Sequence, residues 1–172
     1  MENQPPKIGK FSLNYGIILG AIFVVFGVML FMLDAHTTRS MANQIISIVL
    51  MIAVIIWGIL SFKKANDGYL KLSQALKIGA GVALVSALIY IVYMLVLTNF
   101  LDTEFITKVA ELQKADAEAA GVMSAQQIQQ QYDGTIDYFW ISYPVIIIFN
   151  VIIGLVIGLV GGLILKKAQP DY

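Results

Sequence analysis

The stretch Phe139–Leu165, FWISYPVIIIFNVIIGLVIGLVGGLIL, contains no Asp, Glu, Lys, Arg or His. As an α-helix rising ~1.5 Å per residue, it is long enough to cross a hydrocarbon layer ~30 Å thick. A charged side chain at the centre of such a layer costs at least ~2.5 to 3.5 kcal/mol, so an uncharged run of this length is what lipid selects. Three further runs, 11–33, 45–62 and 78–97, share this character. The sequence therefore predicts an all-α polytopic membrane protein with four transmembrane helices in two antiparallel hairpins. Of the 172 residues 59% are hydrophobic, above the ~45 to 50% of ordinary soluble domains. Residues 11–167 read as one domain, with tails at 1–10 and 168–172 and a long loop at 99–138. The first run exceeds the ~7 to 15 apolar residues of a signal peptide and is not followed by an A-x-A-like site, so it reads as an uncleaved anchor.

The basic residues are distributed unevenly over the non-spanning segments. Lys7 and Lys10 precede the first span, Lys63, Lys64, Lys71 and Lys77 lie between the second and third, and Lys166 and Lys167 follow the fourth. The other two loops hold Arg39, Lys108 and Lys114 but eight acids: Asp34, Asp102, Glu104, Glu111, Asp116, Glu118, Asp133 and Asp137. The positive-inside rule then places both termini and the second loop in the cytoplasm. Lys63, Lys64, Lys71 and Lys77 are expected at headgroup level, facing lipid or a partner. The formal net charge is zero, which leaves no basic face for nucleic acid.

Small residues recur along the spans. Gly16, Gly20 and Gly27 fall on one face of the first, Gly79, Ala83 and Ala87 on one face of the third, and Gly154, Gly158 and Gly162 form overlapping G-x-x-x-G units, a glycine zipper, in the fourth. Such stripes let backbones approach closely where lipid offers no hydrophobic drive between helices. The fourth-span glycines are expected to pack against the glycine face of the first span in preference to forming a homodimer. Pro144 is tolerated near a helix start and would kink a helix that ran through it.

Between spans, Asn66-Asp67-Gly68 signals a turn, and Ser73 is the expected N-cap of the third helix. In the long loop, Phe105, Val109 and Leu112 share a helical face, Gly121 is a stop, and Ser124-Ala-Gln-Gln127 matches a capping box before Ile128, Tyr132 and Ile136. Two short amphipathic helices are expected there, lying on the membrane or capping the bundle.

Signatures of chemistry are sparse. Without cysteine there is neither a disulfide nor a thiolate site. His36 is the sole histidine and reads as a surface residue, since zinc needs three or four ligands. Neither H-E-x-x-H, G-x-S-x-G nor a Walker loop occurs. No catalytic, cofactor or metal residues are assigned, and the expectation is a protein that is not an enzyme. The polar residues within spans are Asn150, Ser47 and Ser86, which read as interhelical hydrogen-bonding groups or as the lining of a polar path.

The segment Lys63–Gly79, the small-residue span after it, the Met123–Ile128 piece and the glycine-repeat ending Gly154–Lys167 resemble a bacterial family of small four-span membrane proteins catalogued as a domain of unknown function. The resemblance implies four helices in the inner membrane and carries no catalytic residue over. Function is accordingly expected to be that of a non-enzymatic accessory, scaffold or assembly component, binding another membrane protein or a second copy. A small oligomeric transporter or channel is the alternative.

Overall fold

The computed structural model describes residues 6–38 and 40–167. Six helices follow in order: α1 (Ile8–Met32), α2 (Met41–Ala65), α3 (Leu72–Val96), α4 (Phe105–Ala120), α5 (Ala125–Asp137) and α6 (Ser142–Leu165). A π-helical turn at Leu97–Leu101 continues α3, and a 3-10 turn at Phe139–Ile141 leads into α6. Four segments are long and apolar enough to cross a membrane: Ile8–Met32, Met41–Ala65, Leu72–Leu101 and Phe139–Leu165. The architecture is that of an all-α multi-pass membrane protein.

Helices α1, α2 and α3 begin ahead of their uncharged stretches, because polar residues suit the ends of spanning helices, whereas α6 stays within its own. Lys63 and Lys64 occupy the last turn of α2, where cations meet the negative end of the helix dipole. The turn after it forms as expected, with Asp67 and Gly68 at φ 53° and 80° and the Asn66 amide donating to the Tyr69 carbonyl at 2.9 Å. Ser73, however, is not the cap of α3. Leu70 exchanges two backbone hydrogen bonds of 3.0 Å with Lys167, so the chain is pinned just before Lys71. The helix starts at once, with Gln74 Oε1 accepting from the Lys71 N–H at 2.8 Å. Pro144 falls in the first turn of α6, where its missing N–H forfeits no helical bond; α5 has already ended at Asp137.

Helix α3 is the centre of the bundle. A Cβ built on Gly154 would lie 2.5 Å from both Ala83 Cβ and the Gly79 carbonyl oxygen, and one on Gly158 would lie 2.8 Å from the Ala75 carbonyl oxygen. The glycine face of α6 is therefore closed on α3 and not, as expected, on the glycine face of α1. The α1 face is also turned to α3: a Cβ on Gly16 would meet Val85, on Gly20 Ile89 and on Gly27 Tyr93. The reason is that α3 offers a small-sided face, Ala75, Gly79 and Ala83, toward α6, while toward α1 its larger Val85, Ile89 and Tyr93 sit over the α1 glycines and Gly81 is seated on Ser12. Matching positions rise together along α1 and α3, which run parallel, whereas α6 runs antiparallel to α3.

Helix α2 is attached at only one end. Its buried residues are Met51, Val54, Ile55, Gly58, Ile59 and Phe62, and none of residues 41–50 is buried. Around the buried half, Phe11 meets Phe62 edge-on at 5.4 Å, Tyr15 meets Trp57 likewise at 5.4 Å, and the Tyr15 hydroxyl donates to Ser61 Oγ at 2.6 Å. This closed end, next to the chain termini, is called proximal below. The opposite end, bearing α4 and α5, is distal.

Candidate functional site

At the distal end the chain leaves α1 through a tight turn, with the Ala35 N–H on the Leu30 carbonyl at 2.9 Å and Asp34 at φ 52°. The turn delivers His36 between two aromatic rings. It stacks on Phe105 at 5.9 Å and meets Phe31 edge-on at 5.1 Å. Meanwhile α3 widens into its π turn, in which the Asp102 N–H reaches back to the Leu97 carbonyl at 2.8 Å. The extra residue in this turn carries Asp102 inward beneath the start of α4.

His36 Nε2 and Asp102 Oδ2 stand 2.8 Å apart, with side chains only 9% and 8% exposed. A carboxylate only accepts, so Nε2 is the protonated nitrogen of this pair. The second oxygen, Oδ1, accepts from Lys108 Nζ at 2.9 Å and from the Glu104 N–H at 3.2 Å. Burial would raise the Asp102 pKa. The hydrogen bonds from His36 and Lys108, the Lys108 charge and the Glu104 amide outweigh it and hold the carboxyl below its ordinary range. In return, the hydrogen bond to Asp102 lifts Lys108 above the usual lysine range. Asp102 thus fastens three pieces together: the α1–α2 loop, the end of α3 and the first turn of α4.

The sequence suggests a surface position for His36, and the structure overturns it: its ring and the Asp102 carboxylate are both buried. The two residues are 66 positions apart, so no local pattern announces their pairing. The one available signal was an acid immediately after a span, followed by a lysine on the next helical turns. His36 Nδ1 and the Tyr93 hydroxyl are buried without a hydrogen-bond partner among the described residues.

Below this fastening lies a cleft of about 590 Å³. It exists because the distal half of α2 stands away from α1, α3 and α6. Its α2 wall presents Ser40, Asn43, Gln44, Ser47, Ile48 and Met51, and its α1 wall Phe23, Phe26, Gly27 and Leu30. Ile146, Asn150 and Ile153 come from α6, Ala87 and Tyr90 from α3, and His36 and Val109 from the roof. Two of the three predicted polar residues, Ser47 and Asn150, are thereby brought to one cavity, while the third, Ser86, is buried in α3 away from it. Each of the three donates within its own helix: Ser47 to the Asn43 carbonyl, Asn150 to that of Ile146 and Ser86 to that of Ala83, at 2.9 to 3.0 Å. Between the long helices, a side-chain hydrogen bond is made instead by Tyr15 and Ser61.

The remaining predicted positions fall into two groups. Gly16, Gly20, Gly79, Ala83, Gly154, Gly158 and Gly162 lie in the seams around α3, whereas Gly27 and Ala87 both pack and line the cleft. Lys63, Lys64, Lys71 and Lys77 stand at the proximal end, far from the cleft, and all but half-buried Lys63 are exposed. Among the described residues no group of three or more His, Asp or Glu side chains is arranged to hold a metal.

The fold and site define a small four-span membrane protein with a helical cap and a one-sided cleft. Residues 14–167 match the family described as protein of unknown function (DUF4199), and the chain belongs to that family. No curated protein and no solved structure matches it.

Proposed function

We propose that this protein is a non-enzymatic component of the bacterial inner membrane, working by contact as an accessory, scaffold or assembly factor. Both termini and the α2–α3 loop face the cytoplasm in this reading, and α4 and α5 lie on the outer side. The orientation is supported by the lysines gathered at the proximal end and the acids at the distal end. The observation that carries the contact role is the α4–α5 hairpin. It is fastened at its base through Asp102, but its far end stands free with Val122 84% exposed and Leu112 and Ile136 also open. A side-chain bond from Thr135 to Gln113 at 3.1 Å holds the two helices together, so the hairpin presents a formed surface. Purification of the full chain in gentle detergent should recover a stoichiometric partner that is lost on Leu112→Glu with Val122→Glu. A protein that is always recovered alone would overturn the reading.

A transporter is the second reading, favoured by one observation: Ser47 and Asn150 face a common cleft. Vesicles containing the protein would then show a solute flux that falls with Asn150→Ala. Unchanged flux would remove the cleft from the path.

A further inference from the structure

An apolar-walled space of about 590 Å³ inside a membrane bundle does not stay empty for free, because its walls forfeit dispersion contacts. Its size falls in the range of ~300 to 1,000 Å³ that suits a single small ligand.

The walls are layered by depth. Going down α2, Ser40, Asn43, Gln44 and Ser47 give way to Ile48 and Met51, and going down α6 Asn150 lies above Ile153. At the shallow end stands His36. Gln44 and Ile48, which line the cleft, are themselves exposed, so the cleft is open along α2, within a segment long and apolar enough to cross a membrane.

We propose that the cleft is a binding site for a bilayer phospholipid, which inserts one acyl chain between Phe26, Ile48, Met51 and Ile153 and sets its headgroup against His36, Ser40, Asn43 and Gln44. A lipid tail gains no hydrophobic energy on leaving other tails, so selection comes from the polar end. A lateral opening supplies the route, since a chain slides in without its headgroup crossing the apolar layer. The site is independent of the partner reading: a protein purified alone would overturn that reading and leave the lipid site standing.

The test uses the full chain in vesicles of phosphatidylethanolamine and phosphatidylglycerol containing a trace of phosphatidylethanolamine with a diazirine on one acyl chain. After irradiation, labelled residues are mapped by mass spectrometry. Labelling of Phe26, Met51 and Ile153 is expected in addition to the exposed Val25, Val49 and Ile152. Ser47→Trp, which fills the cleft, should lower the cleft labels about tenfold, equivalent to about 1.4 kcal/mol of lost occupancy, and leave the exterior labels unchanged. Ile45→Trp, on the outer face, should change neither set. If Ser47→Trp does not fold, Asn150→Trp fills the same space from the opposite wall. Cleft residues that stay unlabelled, or labels that persist in a folded cleft-filled variant, would overturn the proposal.

Discussion

The proximal and distal halves of this bundle are made from the same apolar alphabet and pack in opposite ways. Toward the termini, α1 and α6 are drawn onto α3 until backbone meets backbone, and α2 closes the fourth side with Ile55, Ile59 and Phe62. Toward α4 and α5, α2 swings free, and polar groups and aromatic rings replace small residues. The difference teaches that hydrophobicity decides only whether a helix enters the membrane. Whether two helices touch is decided by side-chain size, since lipid competes equally for every apolar surface.

The largest effect should come from breaking the closed half. Gly158→Val places branched carbons where the Ala75 carbonyl already lies 2.8 Å from an ideal Cβ, and backbone does not yield as a side chain would. Overpacking of this kind costs about 3 kcal/mol. The expected outcome is a large drop in the thermal midpoint of the detergent-solubilised protein. The contrasting substitution is Gly134→Ala in α5, where nothing lies within 4 Å of the new carbon; its midpoint should stay or rise slightly, since alanine favours helix.

Next comes the fastening of the open half. Asp102→Ala leaves the buried His36 ring without its acceptor, a loss of about 2 kcal/mol for an unsatisfied buried group. Hydrogen exchange should accelerate through the π turn and α4 while the α3–α6 seam remains protected. If the seam loosened equally, the two halves would be one cooperative unit and the contrast between them would fail.

Acid should reproduce this change without mutation. The Asp102 carboxyl titrates below its ordinary range in the folded protein, so its contribution is complete above that range and is lost as the pH falls through the lowered value. The cap is therefore expected to stay closed at neutral pH and to become protease-sensitive near α4 only below about pH 4. Asp102→Ala should abolish this acid step. An acid step of equal size in the variant would assign it to another group.

The two halves also differ in what the sequence discloses. Spans, turns and caps are local, so Asp67-Gly68, Gly121 and the Ser124–Gln127 box are readable from neighbouring residues, and the last is observed with bonds of 2.9 and 3.3 Å. The glycine stripes disclose that close packing occurs but not with which helix. Gly154 and Gly16 present the same signal, yet α3 meets the first with Gly79 and Ala83 and the second with Val85. Of the site, Ser47 and Asn150 stand out as polar residues in apolar runs. The His36–Asp102 pair does not, because its distance is fixed by the π turn and the α1–α2 loop together. The cleft arises from where α2 fails to pack, a negative property that no residue in α2 encodes alone.

The smallest expected effect concerns the bond that ties α2 to the closed half. Tyr15→Phe removes only the hydroxyl that donates to Ser61 at 2.6 Å and keeps the ring packed edge-on against Trp57. Hydrogen bonds between membrane helices average about 0.6 kcal/mol, so the thermal midpoint should fall only slightly. The informative measurement is the double-mutant cycle with Ser61→Ala, which isolates the pair from the separate costs of each change. A coupling near that average means α2 is held mainly by its buried apolar face, and the distal half is free to stand open because nothing polar draws it in. A coupling several times larger would make Tyr15–Ser61 the pivot about which α2 swings. The opening of the cleft would then respond to a residue more than two helical turns from its deepest wall.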